Sequence, residues 1–383
     1  DFLTIHEPTD QDWFRLTPIV PGSLQIMIDM EQRQVGQVNV LAIEAGTGTS
    51  LSLVEFEDLG TRLRFKFAPV AKGQAVLVQF SGSPNAYTFA IQNHDLAEPN
   101  PSMPEPAVLG SLINRKFDDL SLPGLPDVGA RDEDWFKLVT SAANGRLDVR
   151  ISPDAAINGD ITARIWRDGN NNLIPEAGLG ELLVEGTSVG GAPFTVSLPS
   201  GAGETYYVQV FDPNSGPFTG IVYGLVLENV DHFDRNDPNG AANETAGTAT
   251  DLGAIVNAVE ADLTLPPADA DWFMAATRAQ DGTLDVVLTG QGDSVAVTIH
   301  RDSDNDGVPD TVVTSGTGTN LRFNLIPAQA GQAFWVQLEL ANPANLFAPG
   351  SLVRLELINH DRFDDPSGDS VGGVVLNPTG SDG

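Results

Sequence analysis

Carboxylates carry whatever chemistry this chain performs, and their spacing is regular. Three times an acid pair stands directly before a Trp-Phe dipeptide: Asp10-Gln-Asp12-Trp13-Phe14, Asp132-Glu-Asp134-Trp135-Phe136 and Asp269-Ala-Asp271-Trp272-Phe273. Ahead of the second and third pairs lie acidic, turn-forming stretches, Asp95, Glu98 and Asn100, then Asp231, Asp234, Asn236 and Asp237. A further stretch, Asp361, Asp364 and Asp365, has its matching pair, Asp10 and Asp12, only at the other end of the chain. A second kind of cluster is Asp302-Ser-Asp304-Asn-Asp306-Gly307-Val-Pro-Asp310, and its repeat-equivalent is Asp168-Gly-Asn170-Asn-Asn172-Leu-Ile-Pro-Glu176. Calcium takes about six to eight oxygens and relieves the repulsion between crowded carboxylates. Alternate acids followed by a turn glycine match the start of a calcium loop. Val313 stands where an EF-hand needs its bidentate Glu, so the Asp302 loop is no EF-hand. In the Asp168 loop amides replace carboxylates, which predicts weaker binding. The corresponding stretch of the first repeat, Ala45 to Ser50, is without acids, and no ion is expected there. The competing reading of all these clusters is a solvated, turn-forming surface.

Other chemistries find little support. Five histidines, His6, His94, His232, His300 and His360, show no zinc-hydrolase spacing, and there is no cysteine for a thiolate nucleophile, a disulfide or a thiolate zinc site. No nucleophile elbow or phosphate-binding Gly-Lys loop occurs. Paired carboxylates suit glycoside hydrolysis. Acids that recur in register across repeats read instead as metal ligands, because one active site needs no copies. With 20 Lys and Arg against 52 Asp and Glu, the net charge of −32 repels nucleic acid and anionic lipid and favours cations. Asn243-Glu-Thr245 is a formal glycosylation sequon of low specificity.

The elements that must position these acids are strands. Thirty-nine Gly and 26 Pro punctuate short alternating runs, and no long amphipathic helix or membrane-length apolar stretch is present. Each repeat continues with a glycine-led strand, beginning at Gly73, Gly203 and Gly331, and closes on an alternating strand, Tyr87 to Ile91, Tyr223 to Leu227 and Val353 to Leu357. Asn93, Asn229 and Asn359 follow the closing strands at one fixed position. The pattern predicts an all-β chain of three tandem, jelly-roll-like β-sandwich domains joined by acidic calcium-binding linkers: 1–93, 94–229 and 230–359, with 360–383 opening a fourth unit or completing a neighbouring first domain. Trp13, Trp135 and Trp272 are expected in the three cores.

Asp-x-Asp-Trp-Phe, the Gly-led strand with its Tyr-Tyr-Val or equivalent, and the closing Tyr-x-Leu-x-Leu strand together resemble the bacterial pre-peptidase C-terminal domain family and its collagenase-type relatives, three times over nearly the whole chain. That resemblance implies secreted, non-catalytic, calcium-binding β-sandwiches. It maps ligands best onto Asp234, Asn236, Asp237, Asp269 and Asp271; the Glu98 linker lacks the last acid, and Pro366 replaces the Asn of the Asp364 linker. The expected function is an extracellular structural protein on a bacterial surface, a calcium-stiffened filament, stalk or array. The alternative is a substrate- or matrix-binding module of a secreted enzyme or adhesin, recognising polysaccharide or fibrous protein. Residues Val374 to Gly383 followed by Asp1 to Phe14 read like Thr250 to Phe273, so the expected partner is a copy of the chain, head to tail, or a further repeat of it. Asp361 and Asp364 would then share a cation with Asp10 and Asp12. Neither nucleic acid nor a membrane is an expected partner.

Overall fold

The computed structural model describes residues 3–30, 38–123, 132–154, 160–214, 220–234, 243–304 and 306–361. Among them are 26 strands and only two short 3-10 turns, so the chain is all-β, as its alternating sequence requires. It divides into two compact units, 1–140 with 147–198 and 203–228, and 141–146 with 199–202 and 229–383.

Six sheets enclose three hydrophobic cores. In the first sandwich, one sheet runs Leu3–Ile5, Asn85–Asp95, Gly22–Met30, Arg62–Val70 and Leu53–Asp58, and the other has three strands, Gln11–Leu16, Val76–Gly82 and Val38–Glu44. The second sandwich has a four-stranded sheet, Asn114–Leu122, Ile221–Val230, Gly145–Pro153 and Phe194–Ser200. Its five-stranded sheet runs Leu182–Thr187, Thr162–Trp166, Thr205–Phe211, Glu133–Thr140 and Ala107–Leu112. The third repeats this plan, with Asn257–Leu265, Ser351–His360, Gly282–Gly292 and Asn320–Ala328 in one sheet. The other holds Thr250–Ile255, Ala270–Thr277, Ala333–Leu340, Val295–Arg301 and Thr311–Gly318. The registers described are antiparallel apart from Ala107–Leu112, which runs parallel to Glu133–Thr140, and Thr250–Ile255, which runs parallel to Ala270–Thr277.

The repeated residues have specific tasks. The carboxamide oxygens of Asn93, Asn229 and Asn359 each accept two consecutive backbone N–H groups just past a Trp-Phe strand, from Ile19 and Val20, Ser141 and Ala142, and Arg278 and Ala279, at 2.6–3.1 Å. These donors would otherwise be orphaned where the strand turns away from its sheet. Gly73, Gly203 and Gly331 sit at φ of 79°, 76° and 79°, and each N–H returns to the end of the Trp-Phe strand, at Pro18, Thr140 and Thr277. A side chain there would be strained.

The tryptophan expectation needs correction. Successive strand residues face opposite sides of a sheet, and in all three repeats it is the phenylalanine that faces inward: Phe136 and Phe273 are core residues and Phe14 packs against the first core. Trp13 is 46% exposed, Trp272 is half-buried, and Trp135 is buried on the outer face with Met103, Trp166 and Tyr207. There the Trp135 indole N–H donates to Glu133 at 3.0 Å and the Trp166 indole to Gln209 at 3.1 Å. The same alternation puts the acid two residues before each phenylalanine on the core side, which is why Asp134 and Asp271 are fully buried.

Candidate metal centres

The second sandwich gathers Asp95, Glu98, Asn100, Asp132 and Asp134. Asp95 opens the linker: its carboxylate accepts the N–H of Ala97 at 2.7 Å and of Ser121 at 2.6 Å, tying the linker start to the Asn114–Leu122 strand. The Asn100 carbonyl accepts the N–H of Trp135 at 2.9 Å, which docks the linker beside the acid pair. Tyr223 donates its hydroxyl to one oxygen of Asp134. The remaining oxygens, Glu98 Oε1, Asn100 Oδ1, Asp132 Oδ2 and Asp134 Oδ1, are buried and accept no hydrogen bond. Burial, then the neighbouring charges of Glu98 and Asp95, pushes Asp132 up to about 8; burial and Asp95 push Glu98 up to about 7. Asp134, fully buried, is raised well above the carboxylate range by burial first and then by Asp95, Glu98 and Asp132. Such a group of acids resists ionising together unless a cation joins it.

The third sandwich repeats this arrangement with different residues. Asp231 accepts N–H groups from Phe233 at 2.9 Å and Thr264 at 2.8 Å, as Asp95 does from Ala97 and Ser121. The Trp272 N–H goes to the carbonyl of Asn243 at 2.8 Å, so Asn243 occupies the place of Asn100. Its side-chain N–H₂ donates to Asp271 at 2.8 Å, leaving its Oδ1 buried without a donor, as are Asp269 Oδ2 and Asp271 Oδ2. Single carboxylate oxygens of Asp234, Glu244 and Asp269 lie within 4.8 Å of one another. Burial is the largest cause that raises Asp269 and Asp271 well above their usual values, followed for each by the other acids of the cluster. The sequence reading missed Asn243 and Glu244. At 1% exposure, Asn243 is an interior polar group of this site rather than an accessible sequon. Asn236, Asp237 and Asp364 lie outside the described residues.

In the first sandwich only half of such a site is described. Tyr87 donates to Asp12 at 2.7 Å, the counterpart of Tyr223 and Asp134, while Asp10 accepts the His6 N–H at 3.0 Å, which holds its carboxyl below the usual range. Asp361 is exposed at the end of the Ser351–His360 strand.

The two loop clusters share one backbone frame. Asp302 accepts the N–H of Asp306 at 3.3 Å and of Gly307 at 2.8 Å; Asp168 accepts those of Asn172 at 3.2 Å and Leu173 at 3.0 Å. Gly307 and Leu173 both have positive φ, 86° and 57°. Oxygens of Asp302, Asp304 and Asp306 converge within 4.8 Å, and the charge of Asp306 is the first cause that raises Asp304. Asp310 receives the Ser303 N–H at 3.0 Å. Its counterpart by hydrogen bonding is Glu181, which receives the Gly169 N–H at 3.1 Å. Glu176 instead accepts the amides of Asn170 and Asn172 at 2.8 and 2.9 Å. The loop inserted before Leu182–Thr187 hid this equivalence from sequence.

Of the histidines, His6 places its ring Nδ1 3.4 Å from Asp10 Oδ2 on the exposed surface. Burial first, then Lys66 and Arg64, pushes His94 down to about 4, so it is neutral at physiological pH.

No protein-family model matches the chain, and no curated protein matches it. Among solved structures it is similar to the pre-peptidase C-terminal domain of collagenase from Bacillus anthracis, at 18% identity over 31% of this chain and 91% of that one, with a TM-score of 0.21. It is also similar to PliG, a periplasmic inhibitor of g-type lysozyme from Aeromonas hydrophila, at 15% identity, 32% and 96% coverage and a TM-score of 0.22. The tandem CBM22 domains of Paenibacillus barcinonensis Xyn10C match at 10% identity, 63% and 86% coverage and a TM-score of 0.21. No helix among the described residues is long and apolar enough to cross a membrane.

Proposed function

We propose that the chain is a non-catalytic, extracellular structural protein in which calcium ions lock acidic linkers onto tandem β-sandwiches. The observation that carries this reading is the pair of buried acid clusters with oxygens left over. Asp132 and Asp134 with Glu98 and Asn100 hold buried oxygens that accept no hydrogen bond, and single oxygens of Asp234, Glu244 and Asp269 converge within 4.8 Å beside Asp271 and Asn243; each set suits a hard cation. Asp95 and Asp231, already engaged by two backbone donors each, position the linkers. The ion would supply charge neutralisation and fix each linker against the strand it precedes. The Asp302 loop is a further, more exposed calcium site, and the Asp168 loop, with amides in place of acids, a weaker one.

Acids that recur from repeat to repeat suit a filament, stalk or surface array better than an enzyme, since one active site needs no copies. Calorimetric titration of calcium into chelator-stripped protein tests the reading. Asp134→Asn and Asp271→Asn should each remove one tight ion. Unchanged stoichiometry in both variants would refute it.

A further inference from the structure

Trp135 takes part in two contacts of the second sandwich's linker at once. Its backbone N–H reaches the Asn100 carbonyl at 2.9 Å, beside the acid pair. Its indole lies on the outer face of the sheet, and there Met103, 1% exposed, is enclosed by Trp135, Trp166 and Tyr207, with the partly buried Leu182 against them. The linker thus gives Glu98 and Asn100 to the acid cluster and, three residues after Asn100, Met103 to the opposite face of the same strand.

The walls that receive Met103 are fixed by their own hydrogen bonds. The Trp135 and Trp166 rings lie 6.2 Å apart, tilted by 35°. The Trp166 indole N–H donates to Gln209 at 3.1 Å, Gln209 donates to Glu133 at 2.7 Å, and Glu133 also accepts the Trp135 indole N–H at 3.0 Å. Glu133 stands between Asp132 and Asp134, so the bonds that hold these walls also hold the backbone from which the two acids project. A turn closed by the Glu105 N–H on the Ser102 carbonyl at 3.0 Å carries Met103.

These contacts oppose the electrostatics of the acid cluster. Asp95, Glu98, Asp132 and Asp134 disfavour one another's charged forms, a repulsion that drives the linker away from the strand in the absence of a cation. Burial of an adaptable thioether side chain among aromatic rings draws it back. The third sandwich is built differently among its described residues. Ala246 stands where Met103 does, counted from Asn243, and Ala270 stands in the place of Glu133. His300, opposite Trp335 as Trp166 is opposite Tyr207, replaces Trp166, and Trp272 is only half-buried.

We propose that Met103 is a positioning residue for the second sandwich's linker site, an apolar latch that holds Glu98 and Asn100 beside Asp132 and Asp134 before an ion arrives. The proposal rests on the calcium reading of that site. Donors gathered in advance spare the ion the cost of ordering them. At the third site the ion itself must order the linker.

Met103→Ala in the full chain should open the metal-free linker and weaken calcium binding at the second sandwich's site about tenfold or more. Calorimetry in the Asp271→Asn background reads that site, and in the Asp134→Asn background it reads the third sandwich's site, whose affinity should not change. Met103→Leu, close in volume, should restore most of the loss. Trp166→Leu, which loosens the walls without touching the linker, should act in the same direction as Met103→Ala. Hydrogen exchange in chelator at mildly acid pH should show the Glu105 and Trp135 N–H groups protected in the wild type and in Met103→Leu but not in Met103→Ala, with all three alike in calcium. Unchanged affinity in Met103→Ala, a wild-type linker as unprotected in chelator as that of Met103→Ala, or an equal loss at both sites would each overturn the proposal. A wild type that takes up no calcium at the second sandwich's site would instead sink the calcium reading, while the exchange in chelator, which needs no ion, still decides whether Met103 latches the linker.

Discussion

Removing calcium should make the second sandwich's linker progressively weaker as pH rises. In the metal-free protein Asp132 is raised from 3.8 to about 8 by burial and by Glu98 and Asp95, and Glu98 from 4.5 to about 7. An acid whose folded pKa lies above its unfolded value binds more protons when folded. Its favourable contribution is fully present below the unfolded pKa and is lost as pH rises through the folded one. The window runs from about pH 4 to pH 8. At roughly 1.4 kcal/mol per unit, the Asp132 shift alone corresponds to about 6 kcal/mol of metal-free stability lost across it. A bound ion replaces the protons, so the calcium-loaded protein should be nearly flat over the same range, and at a hundredfold excess over Kd the ion adds about 2.7 kcal/mol. Hydrogen exchange of residues 95–106, measured in calcium and in chelator from pH 5 to pH 8.5, reads this locally. Protection should diverge with rising pH, and calcium uptake at pH 7 should release protons. Parallel exchange profiles in the two conditions, or no proton release, would refute the reasoning.

Other consequences concern single side chains. Tyr223→Phe removes the hydroxyl that Asp134 accepts in a fully buried setting and should cost about 1–3 kcal/mol, whereas Tyr87→Phe should cost less because Asp12 is only half-buried; denaturant unfolding compares the two. Asn359→Ala strands the N–H groups of Arg278 and Ala279 and should destabilise the third sandwich by about 1–3 kcal/mol, read by its melting temperature. Asp304→Ala or Asp306→Ala should remove one ion without unfolding the third sandwich, whose core of Phe273, Phe334, Leu355 and Leu357 lies outside the loop; calorimetry and circular dichroism should separate the two effects. Gly282→Ala would press a methyl group against the His360 carbonyl, 2.0 Å from the ideal Cβ, and should open the end of that sheet, seen as lost exchange protection there.

The repeats made the architecture legible because each carries the same functional parts: the acid pair, the inward phenylalanine, the glycine at a left-handed turn and the asparagine that caps it. Burial was less legible. Hydrophobicity alone favoured the tryptophans as core residues, but alternation lets only one of Trp and Phe face inward, and the outer face of the second sandwich can bury Trp135 because Met103 and Trp166 cover it. Within the third site, Asn236 was assigned from the linker pattern that the family resemblance implies. Asn236 lies outside the described residues, and the bond that puts Asn243 in the place of Asn100, Trp272 N–H to the Asn243 carbonyl, has no signature in spacing. Glu181 was missed because of an insertion between the loop acids and the strand that returns them. The Asp302 cluster was visible because its acids are contiguous and local turn geometry brings them together.

If calcium locks the linkers, the buried acids of the two linker sites must hold it. Crystals grown in calcium and measured by anomalous scattering test it most directly. One peak should appear among Glu98, Asn100, Asp132 and Asp134 and another among Asp234, Asn243, Glu244, Asp269 and Asp271, each surrounded by oxygen ligands. Crystals that show no peak at either site, with the acids protonated and hydrogen-bonded to one another, would contradict it.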